Sequence, residues 1–174
     1  RTAFHQYTFA KNDMQSLIID LGYAFNWDKP ELTQITIEDK FTVSGYRHST
    51  GWAKNQKVFF VAKFSKSIKA FDLVSNEEYI NENNVIGTKT SAQLFFNNLS
   101  EEKLQIKVGL SSVSVKNALD NISKNKEDFN TVKNKASKNW NKALSKIDVQ
   151  SSTDSLKTIF YTALYHAQLA PVTF

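Results

Sequence analysis

The nine residues from Gly45 to Ala53 hold the densest set of side chains that could bind a ligand. The sequence G-Y-R-H-S-T-G-W-A brings two glycines, an arginine, a histidine, two hydroxyl groups and two aromatic rings together. Arg47 can donate paired hydrogen bonds, and Trp52 can stack on the apolar face of a sugar. We interpret the segment as a binding loop between two strands, with Arg47, Ser49 and Trp52 as candidate substrate-binding residues. The alternative is a structured turn or a domain interface with Trp52 in the core.

A second cluster, F-Y-T-A-L-Y-H, runs from Phe160 to His166. On a helix, Tyr161, Thr162, Tyr165 and His166 lie off the apolar stripe, where they could line a cleft at a domain junction. Tyr165 and His166 are therefore further candidate binding residues. The alternative is a buried helix whose polar atoms find partners in neighbouring segments.

Motifs for catalysis or metal binding are missing from the sequence. His5, His48 and His166 are far apart, no H-x-x-H or G-x-S-x-G pattern occurs, and there is no cysteine. The acidic residues fall mostly in polar turns and on solvated faces, where nothing marks them as perturbed acids. We therefore predict neither a catalytic residue nor a metal ligand on this chain.

The net charge of +5 does not indicate a nucleic-acid partner. The lysines concentrate on the polar face of one predicted amphipathic helix, which is typical of a solvated surface. These are Lys124, Lys126, Lys133, Lys135, Lys138, Lys142 and Lys146. No apolar run approaches the roughly 18 residues of a membrane span, so none is predicted.

The first part of the chain has the patterns of short strands joined by polar turns. Alternation and apolar runs predict strands at 4–9, 17–20, 33–38, 41–44, 58–64, 68–73, 91–96 and 104–113. The segment 75–84 is predicted to be a long surface loop. Many short strands at close spacing indicate an antiparallel β-sandwich over residues 1–113.

The hydrophobic period then changes to that of helices. Ser114 can cap a short helix that carries Ala118 and Ile122. A longer helix should present an apolar stripe from Phe129 to Ile147. These predict linker helices over 114–150, and a further helix should begin near Ser151 and end at Pro171.

Four stretches, taken in order, resemble glycoside hydrolase family 92. They are G-Y-R-H-S-T-G-W-A from Gly45, L-Q-I-K-V-G-L-S-S-V-S from Leu104, W-N-K-A-L-S-K-I from Trp140, and the F-Y-T-A-L-Y-H helix that reaches Pro171. The resemblance implies an N-terminal, galactose-mutarotase-like β-sandwich, linker helices and an (α/α)6 barrel. Residues 1–113 would be the later part of the sandwich, 114–150 the linker helices, and 151–174 the first, truncated barrel helix.

The resemblance also implies an activity for the whole protein. Family members are exo-acting α-mannosidases, mainly bacterial, that work by inversion with two carboxyl groups and a Ca²⁺ ion. Inversion needs those carboxyls roughly 6.5–9.5 Å apart. The acids and most of the calcium site belong to the barrel, so none is transferred here. The expected partners are mannose-containing glycans and the catalytic barrel.

Both termini resemble cuts within a longer chain, because Arg1 runs straight into a predicted strand and Phe174 closes an aromatic run. A secreted or periplasmic enzyme is expected, with its signal peptide outside this segment. Two other hypotheses stay open. One is a non-catalytic carbohydrate-binding sandwich, and the other is a structural module that binds another polypeptide through its amphipathic helices.

Overall fold

A computed structural model of the chain describes residues 1–10, 15–24, 26–96 and 103–169. In these residues ten strands are followed by three helices. The strands are β1 Thr2–Tyr7, β2 Gln15–Asp20, β3 Lys29–Asp39, β4 Thr42–Thr50, β5 Gln56–Phe64, β6 Ala70–Ser75, β7 Glu78–Ile80, β8 Asn84–Gly87, β9 Thr90–Phe96 and β10 Leu104–Ser111. The helices are α1 Val115–Ser123, α2 Phe129–Leu144 and α3 Asp154–Ala167. Two compact units are distinguished, Arg1–Phe129 and Asn130–Phe174.

The first unit is a sandwich of two antiparallel sheets. One sheet has the strand order β1-β10-β5-β4-β3-β8, and the other has the order β2-β9-β6-β7. Side chains of alternate residues from both sheets meet between them, as expected when each sheet buries one face. The shared core includes Ile35, Phe64, Leu73, Leu94 and Leu104. The predicted antiparallel β-sandwich is confirmed for this unit.

Helix α1 covers the outer face of the six-stranded sheet. Ser114 is its N-cap and accepts a hydrogen bond from the Asn117 amide, as predicted. Ala118 and Ile122 pack there against Val61 of β5. A Cβ built on Gly109 would lie only 2.1 Å from the Ala118 carbonyl oxygen. The helix therefore approaches the sheet closely because residue 109 has no side chain.

The second unit contains most of α2 and all of α3. Helix α3 begins at Asp154 with Thr153 as its N-cap, whose hydroxyl accepts from the Leu156 amide. The predicted start near Ser151 was therefore early. Ile147 lies beyond the end of α2, so the predicted stripe ends before it. The predicted stop at Pro171 lies outside the described residues.

Two segments predicted as loops contain strands. Residues 75–84 include β7, which forms a hairpin with β6 through a two-residue turn. Asn76 and Glu77 both have positive φ, at 48° and 77°, which identifies a type I′ turn. Strand β4 extends to Thr50, so only the end of the Gly45–Ala53 segment is a turn.

Candidate functional site

Arg47 holds together one end of the sandwich. Its side chain lies on β4 and reaches the chain between β2 and β3, where it donates to the carbonyl oxygens of Leu21 at 3.0 Å and Tyr23 at 3.2 Å. It also forms an ion pair with Asp28 at 2.5 Å. The side chain is only 20% exposed, so its donors are used within the protein. Arg47, predicted to bind substrate, thus positions the segment that leads into β3.

Asp28 is the acidic partner of this arrangement. The hydrogen bond from Arg47 holds the pKa of Asp28 below its usual value, against the opposing effect of burial. The hydroxyl of Ser49 acts in the same direction as Arg47 through a weaker hydrogen bond. Asp28 is therefore an anion that fixes Arg47, and nothing in its surroundings suits a general acid, which needs a raised pKa.

Ser49 is buried beneath this end of the sheet. Its relative exposure is 3%, and its hydroxyl also contacts Oε1 of Gln56 at 3.4 Å. Ser49 and Arg47 are two residues apart on β4 and so project from the same face of the strand. The burial of Ser49 makes it a supporting residue for the Asp28–Arg47 pair.

Trp52 lies in the turn after β4 and is 86% exposed. The interpretation that placed it in the core is therefore wrong for this chain. Its ring packs edge to face on that of Trp27, with a centroid separation of 5.3 Å and an interplanar angle of 61°. Trp27 is 54% exposed. We call these two side chains the Trp pair. Trp27 directly precedes Asp28, so the ion pair and the Trp pair belong to one structure.

His48 points to the opposite face of β4. Its ring stacks on Tyr46 at 4.7 Å and meets Phe59 edge on at 5.8 Å. Its Nε2 atom is buried and has no hydrogen-bond partner. Burial lowers the pKa of His48 and the charge of Lys57 adds to the effect, while Glu31 opposes it. A neutral imidazole packed between aromatic rings indicates a structural role.

Within the second unit, a cleft of about 520 Å³ lies between α2 and α3. Tyr161, Thr162 and Tyr165 line it with Leu144 and Asp154, as expected for polar side chains off the apolar stripe. Tyr165 packs edge to face on Trp140 at 4.6 Å, and the Tyr161 hydroxyl donates to the Ile147 carbonyl. His166 is exposed, and its ring lies 5.5 Å from that of Tyr165.

The described residues offer no donor set for a calcium ion. No group of three or more histidine, aspartate or glutamate side chains in this part of the chain is placed to hold a metal. Calcium requires six to eight oxygen ligands, so residues such as Asp28, already engaged with Arg47, do not fit the ion. None of the described helices is long and apolar enough to cross a membrane.

Sequence reasoning missed Trp27 and Asp28. They are 25 and 19 residues before Trp52 and Arg47, and no local pattern links these positions. Only the fold brings Asp28 to Arg47 and Trp27 to Trp52, so the sequence alone gave no signal for either contact. The roles predicted for Arg47, Ser49, Trp52, Tyr165 and His166 in substrate binding stay predictions.

Comparison with known proteins identifies the family. The Glycosyl hydrolase family 92 N-terminal domain matches residues 1–111, and the Glycosyl hydrolase family 92 catalytic domain matches residues 115–174. The chain therefore belongs to glycoside hydrolase family 92. The antiparallel sandwich followed by helices accordingly matches the N-terminal β-sandwich of that family and the beginning of its helical barrel.

Solved structures of the family align with the chain. The GH92 α-mannosidase BT3965 from Bacteroides thetaiotaomicron is 26% identical, with a TM-score of 0.88 over 100% of this chain. That enzyme has also been solved in complex with mannoimidazole. The inverting mannosidase BT2199 from the same organism is 26% identical, with a TM-score of 0.78 over 95% of the chain.

The chain spans only 24% of the length of BT3965 and 22% of that of BT2199. No curated protein sequence matches the chain.

Proposed function

We propose that this chain is the sandwich and first barrel segment of an exo-α-mannosidase that removes terminal α-mannose from glycans. The observation that carries the proposal is the match of two successive family 92 domains, the second of them catalytic, to adjacent parts of one chain. Relatives described as an α-mannosidase and as an inverting mannosidase support the substrate and the stereochemistry.

The proposed role of this segment is that of a scaffold that forms part of the wall of the substrate cleft. Arg47, Asp28 and Ser49 support the end of the sandwich that carries the Trp pair. Tyr165 and His166 on α3 are the candidate binding residues of the barrel segment. The two catalytic carboxyl groups belong to the part of the barrel outside this chain, so the segment alone is inactive in this proposal.

Calcium dependence and export are further parts of the proposal, and both rest on the family. We expect the Ca²⁺ ligands to lie in the barrel, because the described residues do not form a hard-cation site. We expect the complete enzyme to be secreted or periplasmic.

The test uses the complete polypeptide that contains this chain. Purified enzyme is assayed on 4-nitrophenyl α-mannoside, β-mannoside and α-glucoside, before and after dialysis against a calcium chelator. The proposal predicts hydrolysis of the α-mannoside alone and loss of activity that added Ca²⁺ restores. Hydrolysis of the α-glucoside in preference would overturn the substrate, and unchanged activity after chelation would overturn the calcium requirement.

A non-catalytic carbohydrate-binding sandwich is the second candidate. The exposed Trp pair favours it, because such rings are suited to sugar binding. The match of residues 115–174 to a catalytic domain favours the enzyme. Binding of mannosides by the complete polypeptide without release of mannose would support the second candidate.

A further inference from the structure

We propose that the Trp pair is a platform on which a pyranose unit of a mannose-containing oligosaccharide stacks, at a distance from the bond that is cleaved. The inference rests on the proposed function for its ligand class. Its residues, however, lie wholly on this chain, and its test separates the platform from catalysis.

Both rings of the Trp pair are exposed. Trp52 is 86% and Trp27 54% exposed, although burial of an indole side chain is favourable. The rings contact each other without covering each other, since they meet edge to face. Tyr23, in the loop fixed by Arg47, is a third ring with 70% exposure. The Trp pair therefore offers exposed aromatic surface to a ligand with apolar C–H faces, and Tyr23 adds a further exposed ring on the adjoining segment.

Hydrogen bonds hold the segments that carry the two tryptophans. Arg47 binds the carbonyl oxygens of Leu21 and Tyr23 and the carboxylate of Asp28, and Trp27 is next to Asp28. On the other side, the amide of Gly51 donates to the carbonyl of Ala53 at 3.0 Å and closes the turn around Trp52. Rings held before binding lose little conformational entropy when a ligand arrives, which favours weak ligands such as sugars.

The exposed aromatic surface is small and is bordered by polar residues. An aromatic side chain buries about 150–250 Å² at most, so these three rings supply less than the roughly 800 Å² that each partner contributes to a stable protein interface. The neighbouring residues Lys29, Lys54 and Asn55 are exposed and polar. A small aromatic surface bordered by hydrogen-bonding groups fits one or two sugar rings, with C–H groups on the indoles and hydroxyls on the polar residues.

The test compares two substrates in the complete enzyme. Trp52→Ala should raise KM for a linear α-mannotetraose about five- to tenfold, the factor expected for one lost aromatic stacking contact, and should lower kcat/KM for 4-nitrophenyl α-mannoside much less. Trp52→Phe should bring KM for the tetraose back toward that of the unaltered enzyme. Tyr79→Ala removes another aromatic ring, which is 78% exposed on β7, and should leave the kinetic constants for both substrates unchanged.

The outcomes separate the two proposals. If the unaltered enzyme cleaves neither substrate, the proposed function fails. If it cleaves both and Trp52→Ala leaves the tetraose KM unchanged, the platform is wrong. If Trp52→Ala lowers activity on both substrates together with the melting temperature, Trp52 belongs to an interface within the enzyme, which also overturns the platform.

Discussion

The carboxylate of Asp28 accepts a hydrogen bond from the guanidinium of Arg47 at 2.5 Å, and the residue before Asp28 is one of the two tryptophans of the Trp pair. A strand of the six-stranded sheet thereby fixes a loop that carries exposed aromatic side chains. Arg47 thereby positions this loop, and the contact with substrate that its residue type suggests stays a prediction.

Removal of the guanidinium should destabilise this end of the sandwich. Arg47→Met leaves Asp28 and the carbonyls of Leu21 and Tyr23 without their donors, and we expect a loss of about 1–3 kcal/mol in the free energy of unfolding. Chemical denaturation of the complete protein measures the loss. Lys63→Met, at an exposed position on β5, is the matched control and should change stability little. Equal stability of the two variants would refute the positioning role.

The pH dependence of stability should contain a contribution from His48. Because burial lowers the pKa of folded His48, the unfolded chain binds its proton more readily. Stability should therefore fall as the pH drops below the ordinary histidine pKa of about 6.5, and the fall should end near the lower folded pKa. His48→Phe should remove this part of the dependence below the ordinary histidine pKa. An unchanged slope in that variant would show that another group is responsible.

The contribution of Asp28 to stability should change at a lower pH than that of His48. Its folded pKa is lowered, so the stability from its pair with Arg47 is complete above the unfolded pKa of about 3.9. That contribution is lost as the pH falls through the folded value. We expect Asp28→Asn to be less stable than the unaltered protein at pH 7 and to approach it in strong acid. A constant difference down to pH 2 would contradict the assignment.

Gly109 should tolerate no larger residue. In Gly109→Ala the added methyl group would overlap the backbone of α1 at Ala118, so the helix must shift. We expect a cost of about 1–3 kcal/mol and faster amide hydrogen exchange in α1. Leu110→Ala changes the next residue on β10, whose side chain is 43% exposed, and should cost less. A larger loss for Leu110→Ala would mean that α1 does not depend on the close approach.

The β6–β7 turn offers a stabilising change. Glu77 has φ of 77°, a conformation that costs a residue with a side chain about 1 kcal/mol relative to glycine. Glu77→Gly should raise the melting temperature of the protein, whereas Glu78→Gly, within the paired strand β7, should lower it. A lower melting temperature for Glu77→Gly would argue against the type I′ turn.

The elements that the sequence predicted correctly are those with strong local signals. The apolar run of β5 and the alternation in β9 are both present as strands, and Ser114 caps α1 as its position suggested. Local signals also misled, because glycines and polar residues hid the continuation of β4 through Arg47. The polar turn at Asn76 likewise concealed the short strand β7.

The candidate site was predictable only in part. Arg47 and Trp52 stand out within one short segment, but their partners Asp28 and Trp27 come from a loop before β3, and only sheet pairing brings them together. The exposure of Trp52 also depends on the fold, since its residue type favours burial. Contacts between distant parts of the chain therefore decide which of these side chains are exposed and which support their neighbours.

The central claim, that this chain belongs to an inverting α-mannosidase, is tested most directly by following a reaction of the complete polypeptide by proton NMR. The enzyme is mixed with an α-mannoside, and the anomeric signals of the released sugar are recorded from the first minutes. The account predicts that β-mannose appears first and then mutarotates to the equilibrium mixture. Initial release of α-mannose, or no release of mannose from a folded, calcium-supplied enzyme, would contradict it.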